Sequence, residues 1–203
     1  MSAPAQLPAE LNLKAYLRQA IEVAANALMH AEVDVLLQAA HYERNGTRRA
    51  YRNGYRTRRW HTEAGVVLLH IPKLRSGSYY PAFLENESQA KALLASLARQ
   101  ALTGGVPAEA VRELLTEDNP GVATALTDTL TQQASDYLRR PLRYPYRTLT
   151  ARQDGEWLFI CGTRRAGTLH LLDVCRVEES PAYWRAVVDR LAERGLEVAH
   201  IEA

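Results

Sequence analysis

A mixed α+β chain is what this sequence predicts: a helical, basic first part with a β-hairpin, then a meander of strands, one helix and a further strand. Three observations carry that expectation. Apolar residues recur at helical spacing near the start and again in the middle of the chain. Asn-Gly and Asp-Gly pairs punctuate the runs that read as strands. Seven arginines, with no carboxylate among them, fall between Arg44 and Arg59.

The elements follow in order. Leu13, Leu17, Ala20, Ile21, Ala24 and Leu28 keep helical spacing, and Val33, Leu36 and Leu37 extend it to about Ala40, with Asn12 as N-cap. This is one long helix or two short ones. Asn45-Gly46 and Asn53-Gly54 signal turns in the basic segment. "RRWHTEAGVVLLHIP" predicts a hairpin, with a strand to Thr62, a turn over Glu63–Gly65 and a strand from Val66 to Ile71. Ser88 is read as the cap of a helix that Gly104-Gly105 ends, and Pro107 as the first residue of a short one. "TEDNPG" makes a turn before a third helix with Val122, Leu126, Leu130, Ala134 and Leu138 on one side. That order has the outline of a helix-turn-helix, or of plain helix packing.

Beyond it, "RYPYRTLTA" is a strand, Asp154-Gly155 a hairpin turn into "EWLFICGT", and "RRAG" a turn into "TLHLLDVCRV". The pairing expected through that second turn sets Thr163 near Thr168, Cys161 near His170 and Glu156 near Cys175. Ser180-Pro181 opens a helix that Gly195 closes, with Tyr183, Trp184 and Val187 on its apolar face, and a strand begins at Leu196. The expected divisions are 1–87, 88–140 and 141–203.

With 47% hydrophobic and 24% charged residues, the 203-residue chain reads as globular. No apolar run approaches the roughly 20 residues that span a bilayer, and the first residues lack a secretory pattern. Cys161 and Cys175 have no metal-ligand spacing and no opposing register, so free thiols in a reduced cytoplasm are expected. The six histidines are scattered, and Ser and Cys form no nucleophilic dyad.

The formal net charge is only +2, so the clustering matters more than the total. Many like charges in one segment repel one another, and a polyanion relieves that repulsion. Arg44, Arg48, Arg49, Arg52, Arg56, Arg58 and Arg59 are therefore candidate phosphate contacts, with Tyr51 and Tyr55 interleaved for stacking. Trp60 belongs to the same set, of which two of the three are expected to anchor the loop to the hairpin instead. Asn45 and Asn53 could read adenine edges or simply make their turns. In the third central helix Thr124, Thr127 and Asp128 could face a groove, although Arg and Lys are absent there until Arg139.

Five phrases, in order, resemble the Mutator-type transposases of bacterial insertion sequences. They are Arg52-Asn53-Gly54-Tyr55, Gly77-Ser78-Tyr79-Tyr80-Pro81, the helix start at Gly105-Val106, Tyr144-Pro145-Tyr146, and Glu179-Ser180 followed by Tyr183-Trp184. The resemblance runs from about Leu11 to Leu196 and corresponds to the N-terminal half of such a transposase. It implies an N-terminal DNA-binding region and then a ribonuclease-H-like domain, here partial. It also implies an Asp-Asp-Glu triad holding two divalent cations, Mg or Mn. Two dications about 4 Å apart need carboxylates between them.

The family's first Asp stands four positions after Tyr-Pro-Tyr, which here is Thr150. Glu202 could stand for the second only with a gap, and Asp154 and Asp173 are poor substitutes. The expectation is a truncated, DNA-binding, transposase-like protein of the cytoplasm and nucleoid, not an enzyme. No catalytic or metal-binding residues and no productively bound cofactor are expected. A homodimer that covers the edge of the partial sheet is expected too. The alternatives are a regulator that joins a full-length transposase in inactive hetero-oligomers, and a metal-dependent nuclease with a rearranged site.

Overall fold

A computed structural model describes residues 5–38, 50–115, 119–178 and 181–201. The described residues form five α-helices and two sheets and divide into two compact units. One unit comprises 16–98 and 106–133; the other comprises 1–15, 99–105 and 134–203.

In the first of these, α1 is a single helix, Lys14–Leu37, buried along Leu17, Ala20, Ile21, Ala24 and Leu28 as the spacing predicts. The hairpin that follows consists of β1, Arg52–Thr62, and β2, Gly65–Leu74. Its turn is the pair Glu63–Ala64, because Thr62 already pairs with Gly65. The strand also starts earlier than expected. Asn53-Gly54 is not a turn but lies within β1: Arg52 pairs with Leu74 and Tyr55 with Pro72, so β1 carries one extra residue. Gly54, at φ +77°, absorbs it as a β-bulge.

Helix α1 closes the outer edge of β2 with side chains. Asn26 donates to the Leu68 carbonyl (3.0 Å) and accepts from His70 N–H (2.7 Å), while Glu22 accepts from Leu68 N–H (3.1 Å). An edge strand needs such partners for its main-chain polar groups.

Helices α2 (Glu87–Ala101), α3 (Ala108–Arg112) and α4 (Pro120–Arg139) follow. Their caps correct the sequence reading. Asn86, rather than Ser88, receives an N–H from the first turn of α2, that of Gln89. Pro107 precedes α3 as its N-cap. The Asn119 side-chain oxygen Oδ1 accepts from Gly121 (3.1 Å) and Val122 (3.2 Å), so α4 starts at Pro120 instead of after a turn. Tyr137, not Leu138, ends its buried side.

The second unit carries a sheet of order β5-β4-β3-β6, formed by β3 (Tyr146–Asp154), β4 (Trp157–Thr163), β5 (Leu169–Arg176) and β6 (Val198–Ile201). The first three are an antiparallel meander, and β6 runs parallel to β3. The parallel return requires the crossover that helix α5, Pro181–Glu193, supplies. Leu149, Leu158, Ile160 and Leu172 of the sheet pack with Val187 and Leu191 of α5. Gly195, at φ +84°, closes α5 as expected.

Four details differ from expectation. The β3–β4 loop is Gly155-Glu156, since Asp154 pairs with Trp157. The β4–β5 register is displaced: Thr163 faces Leu169, Cys161 faces Leu171, and Leu158 faces Cys175, with an irregularity at Ile160/Cys161. The two cysteines are still not opposed, and both are free thiols. Asn12 does not cap α1, which begins two residues later; its N–H donates to the Leu169 carbonyl (2.9 Å). Trp184 departs from the expected core face, being 43% exposed, with Val188 one turn on at 50%.

Candidate nucleic-acid interface

Alternation along β1 sends successive side chains to opposite faces of the hairpin. Arg56, Arg58 and Trp60 lie opposite Ile71, Leu69 and Val67, three of the four buried residues of β2. Tyr55, Thr57, Arg59 and His61 take the other face, opposite Pro72, His70, Leu68 and Val66. All four are exposed. Neither strand contains a carboxylate.

The arginines fall into distinct groups. Arg52 pairs with Asp34 of α1, its side chain only 11% exposed, and burial lowers its pKa. Arg58 is held by Glu87 of α2 and donates to the Tyr80 hydroxyl (3.2 Å). Arg56 is exposed, with its guanidinium 6.0 Å from the centre of the Tyr80 ring. Arg59 is exposed and makes no ion pair among the described residues. Arg44, Arg48 and Arg49 lie outside the described residues. Sequence reasoning treated the seven as equivalent; nothing in the run distinguishes an arginine whose carboxylate lies on another element.

The aromatics divide as well. Trp60 is an anchor. It is buried, meets Phe83 edge-to-face at 5.6 Å and donates its indole N–H to Glu87 (3.1 Å). Tyr51 and Tyr55 remain exposed, the latter edge-on to His30. Asn53 is exposed beside the bulge. Lys73 on β2 adds an exposed cation, and Tyr80, from the loop after β2, brings a half-exposed ring beside Arg56. Neither was singled out from the sequence.

Comparison with known proteins bears on this ribbon and on the sheet alike. Residues 5–201 match the model of the family described as "Transposase, Mutator family". The chain belongs to the Mutator family of transposases. It is 30% identical, over 84% of its length, to the transposase for insertion sequence element IS1081 of Mycobacterium tuberculosis, covering 46% of that protein. It is 27% identical, over 85% of its length, to the transposase for IS256 in transposon Tn4001 of Staphylococcus aureus, covering 49%. The transposase for IS406 of Burkholderia multivorans is likewise 27% identical over 88% of the chain, with 51% covered. The chain thus spans about half the length of these curated relatives of the Mutator family.

The divalent cations implied by the Mutator resemblance are tested by Thr150. It lies on β3 opposite Cys161, and its buried Oγ1 has no hydrogen-bond partner. A neutral hydroxyl brings no charge to balance a dication. Asp173 on β5 is buried, and its Oδ2 receives two bonds from Arg190 of α5 (2.8 and 3.1 Å). No three His, Cys, Asp or Glu side chains converge among the described residues. These residues do not fit a pair of divalent cations. Glu202 lies outside the described residues.

Proposed function

We propose that this Mutator-family chain binds DNA through its hairpin and does not itself cut or join strands. The observation that carries the first part is the β1–β2 ribbon: exposed Arg56, Arg59 and Lys73 with exposed Tyr55, and no carboxylate on either strand. A two-stranded ribbon has dimensions that a major groove admits. Arg44, Arg48 and Arg49 would add phosphate contacts, with Tyr51 and Asn53 at the entry to β1. Arg52 and Arg58 serve chiefly to hold the ribbon to Asp34 and Glu87. The second part rests on Thr150, which offers no ionised oxygen where the family resemblance places its first Asp.

The strand order β5-β4-β3-β6, with α5 crossing to a parallel fourth strand, supports reading the second unit as a partial ribonuclease-H-like domain. The succession α2, α3, α4 supports a helix-turn-helix by order alone. No helix among the described residues is long and apolar enough to cross a membrane. A cytoplasmic, nucleoid-associated protein is the corresponding proposal.

The test is anisotropy on a labelled duplex across a salt series. Four neutralised phosphates give a slope of log affinity on log salt of roughly −3 to −4. Replacing Arg48, Arg49, Arg56 and Arg59 together by Ala should flatten it, with Arg52 kept because it holds Asp34. Absence of binding at low salt would reject DNA recognition. Magnesium or manganese with supercoiled plasmid tests the second part: reproducible nicking that Asp173→Asn abolishes would restore the nuclease alternative.

The exposed Trp184 and Val188 favour an assembled state in which a second copy, or a full-length relative, covers this side of α5. Light scattering at micromolar concentration should report a dimer, and Trp184→Arg should shift it to monomer. A monomeric wild-type protein would remove this part of the reading.

A further inference from the structure

The second unit has a cationic surface of its own. Between Asp136 and Asp154, and again between Glu156 and Asp173, the sequence holds no carboxylate. Both stretches meet at one end of the sheet. Thr148 of β3 pairs with Thr163 of β4, and Thr163 with Leu169 of β5, so the entry to β3 and the β4–β5 turn share that end. The end of α5 joins them. Leu142 N–H donates to the Arg194 carbonyl (2.6 Å), and Arg194 Nε–H donates to the Arg140 carbonyl (3.1 Å).

Arg140, Arg143, Arg164, Arg165 and Arg194 are gathered in this way, and none has an ion-pair partner among the described residues. Arg143 and Arg165 are exposed, and the other three are half-buried. Asp173, whose charge acts on Arg194, is already taken by Arg190. Burial, and then the charges of Arg164 and Arg140, hold His170 below the ordinary imidazole value. Cations crowded together without counter-charge are relieved by an anion.

An aromatic ring stands among these charges. The Arg164 guanidinium lies 4.4 Å from the centre of the Tyr144 ring and 5.6 Å from that of Tyr146. Such a contact braces the Tyr144 ring, yet Tyr144 stays 59% exposed whereas Tyr146 is buried. A braced, exposed ring beside unpaired arginines suits a planar group carried on an anionic chain. Bases within a duplex cover one another's faces. An unstacked base has a face to offer, and stacking on an aromatic side chain is a general way of holding it.

We propose that this end of the sheet holds a single-stranded stretch of DNA, with a base stacked on Tyr144 and neighbouring phosphates on Arg143 and Arg165. The half-buried Arg140, Arg164 and Arg194 supply the field that attracts the strand. This surface belongs to the other unit from the ribbon and adds a second form of DNA to the duplex assigned there.

The full chain is titrated by anisotropy with a labelled single-stranded oligothymidylate and with a labelled duplex of equal length, across a salt series. Tyr144→Ala should weaken single-strand binding about tenfold, the loss of one stacked base. Tyr144→Phe, which keeps the ring, should bind the strand as the wild type does. Replacing Arg143 and Arg165 together by Gln should reduce the single-strand salt slope by about 1.4, or roughly 0.7 for each phosphate. Duplex affinity, which rests on the ribbon, should be the same for Tyr144→Ala as for the wild type. No single-strand binding at low salt, or a single-strand affinity that Tyr144→Ala leaves unmoved, overturns the inference and leaves the ribbon reading standing. An equal loss for strand and duplex also overturns it, since that reports a general disturbance of the fold. Tyr144-dependent strand binding without any duplex binding rejects the ribbon reading and leaves this one. Inorganic polyphosphate that displaces the oligothymidylate at equal phosphate concentration assigns the surface to polyanions in general and overturns its assignment to a strand.

Discussion

Replacing Trp60 by Ala should destabilise the hairpin-bearing unit by about 3–5 kcal/mol, the cost of emptying a fully buried aromatic site. Trp60 is 1% exposed, packs edge-to-face on Phe83 and donates its indole N–H to Glu87. Removing it leaves a cavity and deprives the Glu87 carboxylate of one donor. Trp60→Phe keeps a ring in the site but loses the N–H and part of the indole's volume, so its cost should be smaller, about 1–3 kcal/mol. Urea unfolding with an unchanged m-value separates the two; an Ala variant within experimental error of wild type would deny Trp60 its anchoring role.

The same cluster sets an acid response. Glu87 is held below the ordinary carboxylate range, chiefly by the hydrogen bond from Lys91, then by that from Trp60 and the charge of Arg58. A carboxyl depressed on folding contributes its stability fully above the unfolded value and loses it as pH falls through the folded one. The urea midpoint should therefore fall as pH drops from the unfolded carboxylate range downward, and Glu87→Gln should remove that part of the fall. An identical acid slope in the variant would assign the response to other carboxylates.

Gly162→Ala is the second large effect. A Cβ at Gly162 would stand 2.5 Å from Tyr146 Cδ1 and 2.9 Å from Leu172 Cδ1. Both neighbours are buried, and β4 is flanked by β3 and β5, so neither the ring nor the strand has room to retreat. Overpacking of this kind costs about 1–3 kcal/mol. The double variant with Tyr146→Ala gives the decisive reading: in that background Gly162→Ala should cost markedly less, a coupling between residues in contact. Additive costs would show that the ring is not what excludes a side chain at 162.

These cases also show which features the sequence made legible. Periodicity located α1, α4 and α5, and the Asp154-Gly155 pair announced the β3–β4 hairpin, because such signals are local. Register was less visible. A two-residue loop can be centred on Asp-Gly or on the next pair, and only the ladder decides that Asp154 meets Trp157. At Asn53-Gly54 the same left-handed glycine that makes a turn made a bulge, since the flanking residues kept pairing with β2.

Of the candidate interface, the clustering of arginines was plain, whereas their division was not. Arg52 and Arg58 meet Asp34 and Glu87, which lie on helices before and after the hairpin. Such pairings depend on tertiary packing that no spacing encodes. Trp184 was read as core because its helical phase is close to that of Val187. One position along the helix was enough to turn it outward.

The Asn26 and Glu22 side chains, bonded along β2, settle how many neighbours the ribbon can have. A two-stranded ribbon ordinarily has two long sides, and repetition through both gives an open-ended stack of chains. Here one side is already filled by the chain's own helix, so strand addition is univalent. Two copies joined through β1 would satisfy each other and leave this ribbon no edge for a third.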